Sequence, residues 1–278
     1  MPTNSPKMSR KQRLLTAHPY CCFCGGTAPA TTLDHVPPKA CFPDGFWPEE
    51  FEFPACERCN YGTTKNDQIF GFYAMLLDFD EAKRSRAYTA KINRLRAGIA
   101  NNFPEALPNT LDARPIYRVG SLVTPSPAAI SVGTPTAFRD AAASIGHKLT
   151  HALYYRERGK ALSVQHQFTT GCYQIQNSAT TNLTEYFAKL LPVLTIGVRS
   201  NIKSYGERFA YKSGIKEDGD FFAYAAQFGK GLIIWGIVLG PGMLLSTVGE
   251  PIRNMNWRTG ASGLGAQIDN RPTERSLG

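Results

Sequence analysis

The sequence predicts an α+β protein in which a small cysteine-containing unit precedes a larger α+β domain with an antiparallel sheet. Two Cys-x-x-Cys pairs, Cys21/Cys24 and Cys56/Cys59, lie in the first quarter of the chain. Apolar residues recur at helix spacing in several later segments. Two strand-like apolar runs flank the glycine-containing turn 229–231, as in an antiparallel hairpin.

The cysteine pairs have the spacing of zinc knuckles. Each short turn directs two sulfur atoms to one side of an ion, so Cys21, Cys24, Cys56 and Cys59 can close a tetrahedral Zn²⁺ site. The alternative is a set of buried thiols. Cys22 also lies in the first knuckle, but its spacing to Cys24 is tighter than usual, so Cys21 is the predicted ligand.

The other cysteines are Cys22, Cys41 and Cys172. They are predicted to be free thiols in a reducing cytoplasm.

Between the knuckles lies the dipeptide Asp34-His35, and Asn60 directly follows Cys59, the last cysteine of the second knuckle. A neutral imidazole can take a proton from water, and carboxylate and amide oxygens can hold a hard cation such as Mg²⁺. Adjacent residues of a strand point to opposite faces, so a loop or twist, with Pro37-Pro38 as its candidate, must bring Asp34 and His35 together. The alternatives are a surface pair in a purely structural zinc finger and, for Asn60, a helix cap.

This pattern of Cys-x-x-Cys, Asp-His and Cys-x-x-Cys-Asn resembles the HNH, or ββα-metal, endonuclease family, in its zinc-stapled branch. The resemblance covers residues 20–79. It implies a hairpin and a helix around a catalytic divalent ion, with Asp34 and Asn60 as metal ligands, His35 as general base and a structural zinc behind. Many members carry a bracing asparagine shortly before the second cysteine pair. This chain has Phe51 there, so the brace is absent or comes from another residue.

Composition divides the chain into five segments. These are a basic tail (1–16), the zinc-containing HNH-like unit with a helical extension (17–103), a Pro-rich connector (104–135), a second α+β domain without a catalytic signature (136–249) and a polar tail (250–278).

Periodicity predicts the elements within these segments. Helices are expected over 63–78, 80–101, 136–158 and 183–194, and strands around 116–123, 130–132, 171–176, 208–215, 220–228 and 232–239. His147 and His151 are four apart on one helix, but Lys148 stands where a zinc-protease helix has glutamate, so a surface pair is expected.

Charge indicates the kind of partner. The formal net charge is +9, from 31 Lys and Arg against 22 Asp and Glu, which favours a polyanion such as nucleic acid, although a membrane surface also attracts basic proteins. The candidate phosphate contacts are Lys39, Lys65, Lys83, Arg84, Arg86, Lys91 and Arg94. The alternative is a set of solvated side chains on a solubilising helix face.

The sequence predicts a cytoplasmic protein without a membrane partner. The first residues lack the apolar core of a signal peptide, and the run 231–245 is too short to span a bilayer. Together with the resemblance, this predicts a DNA endonuclease with structural Zn²⁺ and catalytic Mg²⁺ or a similar ion; two-strand cleavage would favour a homodimer. The alternatives are a catalytically inactive zinc-finger nucleic-acid-binding protein, which Phe51 supports, and an RNA-cleaving toxin.

Overall fold

The computed structural model describes residues 8–43, 50–78, 85–108, 114–117, 127–131, 135–174, 208–215, 220–229 and 231–243. Its helices are α1 (Arg10–Ala17), α2 (Glu57–Tyr61), α3 (Thr64–Leu76), α4 (Arg86–Asn102) and α5 (Thr136–Arg158). Its strands are β1 (Thr32–His35), β2 (Glu52–Ala55), β3 (Arg114–Tyr117), β4 (Pro127–Ser131), β5 (Gln167–Gln174), β6 (Phe209–Ile215), β7 (Phe221–Phe228) and β8 (Leu232–Leu239). The predicted α+β class is confirmed.

The zinc-knuckle region is built on a short antiparallel hairpin. β1 pairs with β2 from Thr32 opposite Ala55 to His35 opposite Glu52. Helix α2 begins two residues after β2, with Cys56 as its N-cap. The order of elements is therefore β-β-α, and the two cysteines of the second knuckle lie at the start of the helix and inside it.

Helix α1 lies within the segment that composition assigned to a basic tail. The Ser9 hydroxyl accepts a hydrogen bond from the Gln12 backbone, and the Gln12 side chain accepts one from the Ser9 backbone. This reciprocal capping box satisfies two backbone donors that a helix start otherwise leaves unpaired, so residues 10–17 are helical rather than extended.

The predicted helices of the extension are present with shifted bounds. Helix α3 buries most of its length, and α4 begins at Arg86, where the Ser85 hydroxyl accepts a hydrogen bond from the Tyr88 backbone. Tyr88 and Ile99 of α4 are buried, as its apolar stripe predicts. None of the helices in the described residues has both the length and the apolar composition needed to cross a membrane.

The second half of the described chain is an antiparallel sheet packed on a long helix. The strand order is β5-β8-β7-β6, and all neighbours are antiparallel. The predicted hairpin around the turn 229–231 is confirmed, since Phe228 of β7 lies opposite Leu232 of β8. Every residue of β8 is buried, because the strand is central in the sheet and packs against α5.

Five predicted elements lie wholly or partly outside the described residues; among them, residues 80–84 of the predicted helix 80–101 and residues 175–176 of the predicted strand 171–176 are not described. The predicted helix 183–194 lies entirely outside the described residues. Of the predicted strands 116–123 and 130–132, the described parts belong to the pair β3 and β4.

One hydrophobic core crosses the predicted boundary between the two halves. Phe70 of α3 stacks on Phe138 of α5, with ring centroids 6.3 Å apart, and meets Phe228 of β7 edge-on at 4.9 Å. Phe51, next to β2, packs edge-on against Phe209 of β6 at 5.5 Å. The zinc-knuckle region therefore rests directly on α5 and the sheet.

Gly71 in α3 and Gly98 in α4 differ in how closely other atoms approach them, and this difference can be tested by substitution. A Cβ atom at Gly71 in α3 would lie 2.4 Å from Cβ and 2.7 Å from the carbonyl carbon of Ala40, whereas one at Gly98 in α4 would meet no atom within 4 Å. We expect Gly71→Ala to lower the free energy of unfolding by about 1–3 kcal/mol. Gly98→Ala should raise it by up to about 1 kcal/mol, because alanine favours helix. Urea unfolding of both variants measures the difference, and equal effects would contradict the close packing of α3 on residue 40.

Candidate functional site

Four cysteine sulfurs converge at one point of the structure. The ligand atoms of Cys21, Cys24, Cys56 and Cys59 all lie within 4.8 Å of one another. Cys22 is buried but is not part of this group, so the structure agrees with the choice of Cys21 over Cys22. Four sulfurs so close together match the donor set of a tetrahedral structural zinc site, so the cluster could hold a metal ion such as Zn²⁺.

Backbone contacts explain why the first knuckle reaches the second. Gly25 and Gly26 have positive φ angles of 67° and 78°, and the Gly26 backbone donates to the Cys21 carbonyl at 3.0 Å. Glycine adopts this left-handed backbone without steric cost, which lets the chain turn tightly after Cys24. The Cys22 backbone donates to the Pro54 carbonyl of β2 at 3.0 Å, which ties the knuckle to the hairpin.

Burial raises the pKa of the thiols of Cys21 and Cys59 above their ordinary value. Without an ion these groups therefore stay protonated at neutral pH. Metal binding deprotonates coordinating thiols, so occupancy of the cluster depends on pH.

His35 is held by a carboxylate from the opposite strand. Its Nε2 atom lies 3.1 Å from Oε1 of Glu52, and Oε2 of Glu52 lies 3.3 Å from the guanidinium of Arg10. The His35 side chain is 26% exposed, so solvent can reach it. Since a carboxylate accepts hydrogen bonds, Nε2 carries a proton and donates it in a hydrogen bond to Glu52.

The pKa of His35 is lowered from its ordinary value by burial and by the positive charge of Lys39, while Glu52 opposes this change. The imidazole is therefore predominantly neutral at pH 7 and can accept a proton. Phe51 stands where many members of the resembled family have a bracing asparagine, and it is buried in the core. The residue after it, Glu52, contacts the histidine through its carboxylate.

Asp34 has different partners from its neighbour in sequence. Its carboxylate lies 2.9 Å from Nζ of Lys148 in α5, and both side chains are almost completely buried. The same ammonium lies 3.1 Å from each carboxylate oxygen of Asp67 in α3. Burial raises the pKa of Asp34, and Lys148 partly offsets this; burial raises the pKa of Asp67 to about 6.

Asn60 contacts the hairpin from α2. Its amide nitrogen donates to the Thr32 hydroxyl at 3.0 Å and to the Leu33 carbonyl at 3.2 Å. The amide nitrogen is thereby committed to β1, and the carbonyl oxygen is the atom that Asn60 could offer to a cation.

The regular pairing of β1 separates Asp34 from His35. Asp34 lies opposite buried Phe53, whereas His35 lies opposite Glu52, so consecutive side chains take opposite faces of the hairpin. The predicted break at the two prolines comes after β1 and leaves this alternation intact. The structure thus brings Asp34 together with Lys148 and Asp67, and His35 together with Glu52.

Three charged residues of this region were missed in the sequence: Glu52, Asp67 and Lys148. Glu52 has a usable signal, because it directly opposes His35 once the hairpin register is known. Lys148 and Asp67 are 81 positions apart, and no local pattern links them.

Helix α5 also supports the first knuckle. His151 is buried, and its Nδ1 donates to the Cys22 carbonyl at 3.0 Å. The expectation of a surface histidine pair is therefore wrong for His151, although His147 beside it is exposed. Burial next to His147 lowers the pKa of His151 to about 4.

The predicted phosphate contacts differ in their surroundings. Lys39 is exposed, and so is Lys65, which pairs with Glu105 at 2.9 Å. Arg86 and Arg94 are exposed on α4, and Lys91 of the same helix is half-buried. Lys83 and Arg84 lie outside the described residues.

Comparison with family models, with curated proteins and with solved structures found no match to this chain. Function is therefore inferred from the residues and their contacts.

Removal of one cysteine of the cluster should abolish metal binding. We expect Cys59→Ser to lower the zinc content from about one ion per chain to near zero, because three thiolates and a hydroxyl form a much weaker site. Elemental analysis of the purified protein measures this. Cys172→Ala, which removes a buried thiol outside the cluster, should keep the parent's zinc content, and equal zinc in all three proteins would refute a cysteine site.

Acid should destabilise the protein through His151. Its folded pKa of about 4 lies below the ordinary value of 6.5, so the unfolded chain binds a proton first as the pH falls. Stability is therefore complete above pH 6.5 and declines towards pH 4, by about 2 kcal/mol at pH 5. His151→Gln, which retains a donor for the Cys22 carbonyl, should lose less stability between pH 7 and pH 5 in urea unfolding. Equal losses of unfolding free energy in the parent and in His151→Gln would show that His151 is not the cause of the acid sensitivity.

Proposed function

We propose that this protein is a divalent-metal-dependent endonuclease that hydrolyses phosphodiester bonds in DNA, with a structural zinc ion bound by the four cysteines. One observation carries the proposal. A β-β-α unit stapled by a four-cysteine cluster presents a partly exposed, neutral histidine on its first strand, and a carboxylate orients that histidine. This arrangement agrees with the resemblance to HNH endonucleases.

In this proposal His35 is the general base. Its imidazole takes a proton from a water molecule as the water oxygen bonds to phosphorus. The bond from phosphorus to the leaving sugar oxygen breaks, and that oxygen takes a proton from solvent. Glu52 holds the proton on Nε2 and stabilises the imidazolium that forms, and Arg10 holds Glu52. The lowered pKa of His35 keeps the base unprotonated at neutral pH.

A divalent ion, when bound, would neutralise the charge that develops on the phosphate. Asp34 and the Asn60 oxygen are the ligands that the resemblance implies. The residues fit such an ion poorly, because the Asp34 carboxylate is buried against Lys148 and takes the opposite face of β1 from His35, so an ion held there would not lie beside the base. Oδ2 of Asp34 already lies beside the Lys148 ammonium, so an ion at Asp34 must share the carboxylate with a lysine.

The charge distribution supports a polyanionic substrate. The chain has a formal net charge of +9, and α4 presents Arg86, Arg94 and Arg96 to solvent. Guanidinium groups bind phosphate oxygens, and such contacts supply most of the sequence-independent affinity for nucleic acid. Exposed Lys65 lies 2.9 Å from exposed Glu105, so a phosphate at Lys65 would compete with that carboxylate.

A second function is favoured by the surroundings of Asp34. The Lys148 ammonium is paired with the Asp34 carboxylate that the resemblance assigns to the metal, and Asp34 lies on the opposite face of β1 from His35. A zinc-stapled protein that binds nucleic acid without cutting it would retain the cysteine cluster and the basic helix but would not need a catalytic ion.

Replacement of His35 separates the two functions. If the protein is a nuclease, His35→Ala should lower the rate of nicking of supercoiled plasmid by about 100-fold or more in Mg²⁺ or Mn²⁺, because the general base is lost. Zinc content and binding to DNA in gel-shift assays should remain as in the parent. RNA offered in the same assay distinguishes the two polymers as substrates.

His147→Ala is the matched control, since it removes an exposed histidine from α5 and should leave nicking unchanged. Cleavage by His35→Ala at the parent's rate would refute the assignment of the base. Gel shifts without cleavage by the zinc-loaded parent, in any of the divalent ions, would favour the non-catalytic function.

A further inference from the structure

Helix α1 is a basic helix that lies against the strand carrying the proposed base. It packs on β1, and its first four residues include Arg10, Lys11 and Arg13. All three residues are exposed. The sequence from residue 8 to residue 33 contains no acidic residue, so no carboxylate of this segment offsets their charge. The helix therefore places a concentrated positive charge on the surface beside the hairpin.

Polar contacts fix α1 on the protein at both ends. Near its start, Nη2 of Arg10 lies 3.3 Å from the carboxylate of Glu52, which also contacts His35. Just after its last residue, Nδ1 of His18 lies 2.6 Å from the hydroxyl of Tyr155 in α5. A helix of eight residues is at best marginally stable alone, so these contacts give α1 a defined place beside the proposed base.

Packing does not explain the charges of α1. None of its residues is fully buried, so the helix adds little to the apolar core. Cations in the first turn of a helix are disfavoured by the helix dipole, whose positive end lies there. Of the three basic residues, Arg10 is the one that pairs with a carboxylate among the described residues. An anionic partner from outside the chain would offset the cost of this arrangement.

The backbone of a nucleic acid fits this surface better than a membrane does. A helix that binds in a membrane interface turns an apolar face outwards. In α1 the apolar residues Leu14 and Leu15 are half-buried, so the outward surface of the helix is polar and basic. Arg10 and Arg13 are three positions apart and therefore lie on the same side of the helix, where two guanidinium groups can bind phosphate oxygens.

We propose that α1 is the docking helix for duplex DNA: Lys11 and Arg13 bind backbone phosphates, and Arg10 contacts a phosphate next to His35. This inference rests on the proposed function. The Arg10 side chain is 56% exposed, and a guanidinium has five N–H donors, so Arg10 can bind a phosphate while it remains beside Glu52. The helix then places the DNA backbone next to the proposed base.

The salt dependence of binding to a short DNA duplex tests the inference. Fluorescence anisotropy measures it on the zinc-loaded protein without added Mg²⁺ or Mn²⁺, so that the duplex stays intact. Lys11→Gln and Arg13→Gln each remove one phosphate contact and keep a good helix former. Each should lower the slope of log K against log salt by about 1. The double variant should bind about tenfold more weakly, or worse, at about 0.1 M salt.

Arg139→Gln is the matched control. It removes one exposed cation near the start of α5, roughly 24 Å along that helix from Tyr155, and should leave the salt slope unchanged. Equal slope changes in Arg13→Gln and Arg139→Gln would show that net charge alone matters and would overturn the inference. Parent-like duplex binding by the double variant, with loss of its binding to phosphatidylserine vesicles, would assign α1 to a membrane surface instead.

Arg10→Gln separates contact with a phosphate from support of Glu52. Loss of a phosphate contact should lower the salt slope by about 1, and loss of the partner of Glu52 should also lower kcat at saturating duplex by about tenfold. Lys11→Gln and Arg13→Gln should act mainly on KM, because they remove binding remote from the reacting bond. A lower kcat with a parent-like slope would overturn the assignment of Arg10.

The same measurements separate this inference from the proposed function. A zinc-loaded parent that binds duplex DNA but cuts none in Mg²⁺ or Mn²⁺ would refute the nuclease. The salt slopes of the α1 variants would still decide whether α1 binds the DNA backbone, since they are measured without cleavage.

Discussion

The convergence of four cysteine sulfurs is the constraint on which the hairpin depends. β1 and β2 have four residues each, and an isolated two-stranded sheet is at best marginally stable in water. The second knuckle begins at Cys56, the N-cap of α2, and the first is hydrogen-bonded to β2 through Cys22. An ion held by these thiolates would therefore fix both strands and the helix at once, and structural zinc contributes on the order of 10 kcal/mol to folding in small domains.

Helix α5 also supports the zinc-knuckle region, through contacts at several positions along the helix. Lys148 reaches Asp34, His151 reaches the first knuckle, and one turn further on Arg156 pairs with Glu50 at 2.9 Å. The opposite stripe of α5 packs on the sheet with apolar residues. One helix thus contacts the hairpin, the first knuckle and the sheet.

Local signals were sufficient for much of this architecture. The bounds of α5 follow from its apolar periodicity and from Gly159, whose φ of 67° ends the helix, and the hairpin of β7 and β8 follows from the glycine turn. Helix α1 was missed although its capping box is visible as Ser9 and Gln12 in the sequence. The capping box, rather than the basic composition, decides the conformation of that segment.

The amino-acid sequence alone determined which cysteines come together, because ligand spacing within a knuckle is a local property of four residues. It also determined the α+β class and singled out Asp34 and His35 of the hairpin and Asn60 of α2 as candidate site residues. Only the tertiary structure decided what each of them contacts. Strand alternation sends Asp34 and His35 to opposite faces, and the partner of Asp34 comes from a helix that chain folding brings back over the hairpin, a contact that no local pattern encodes.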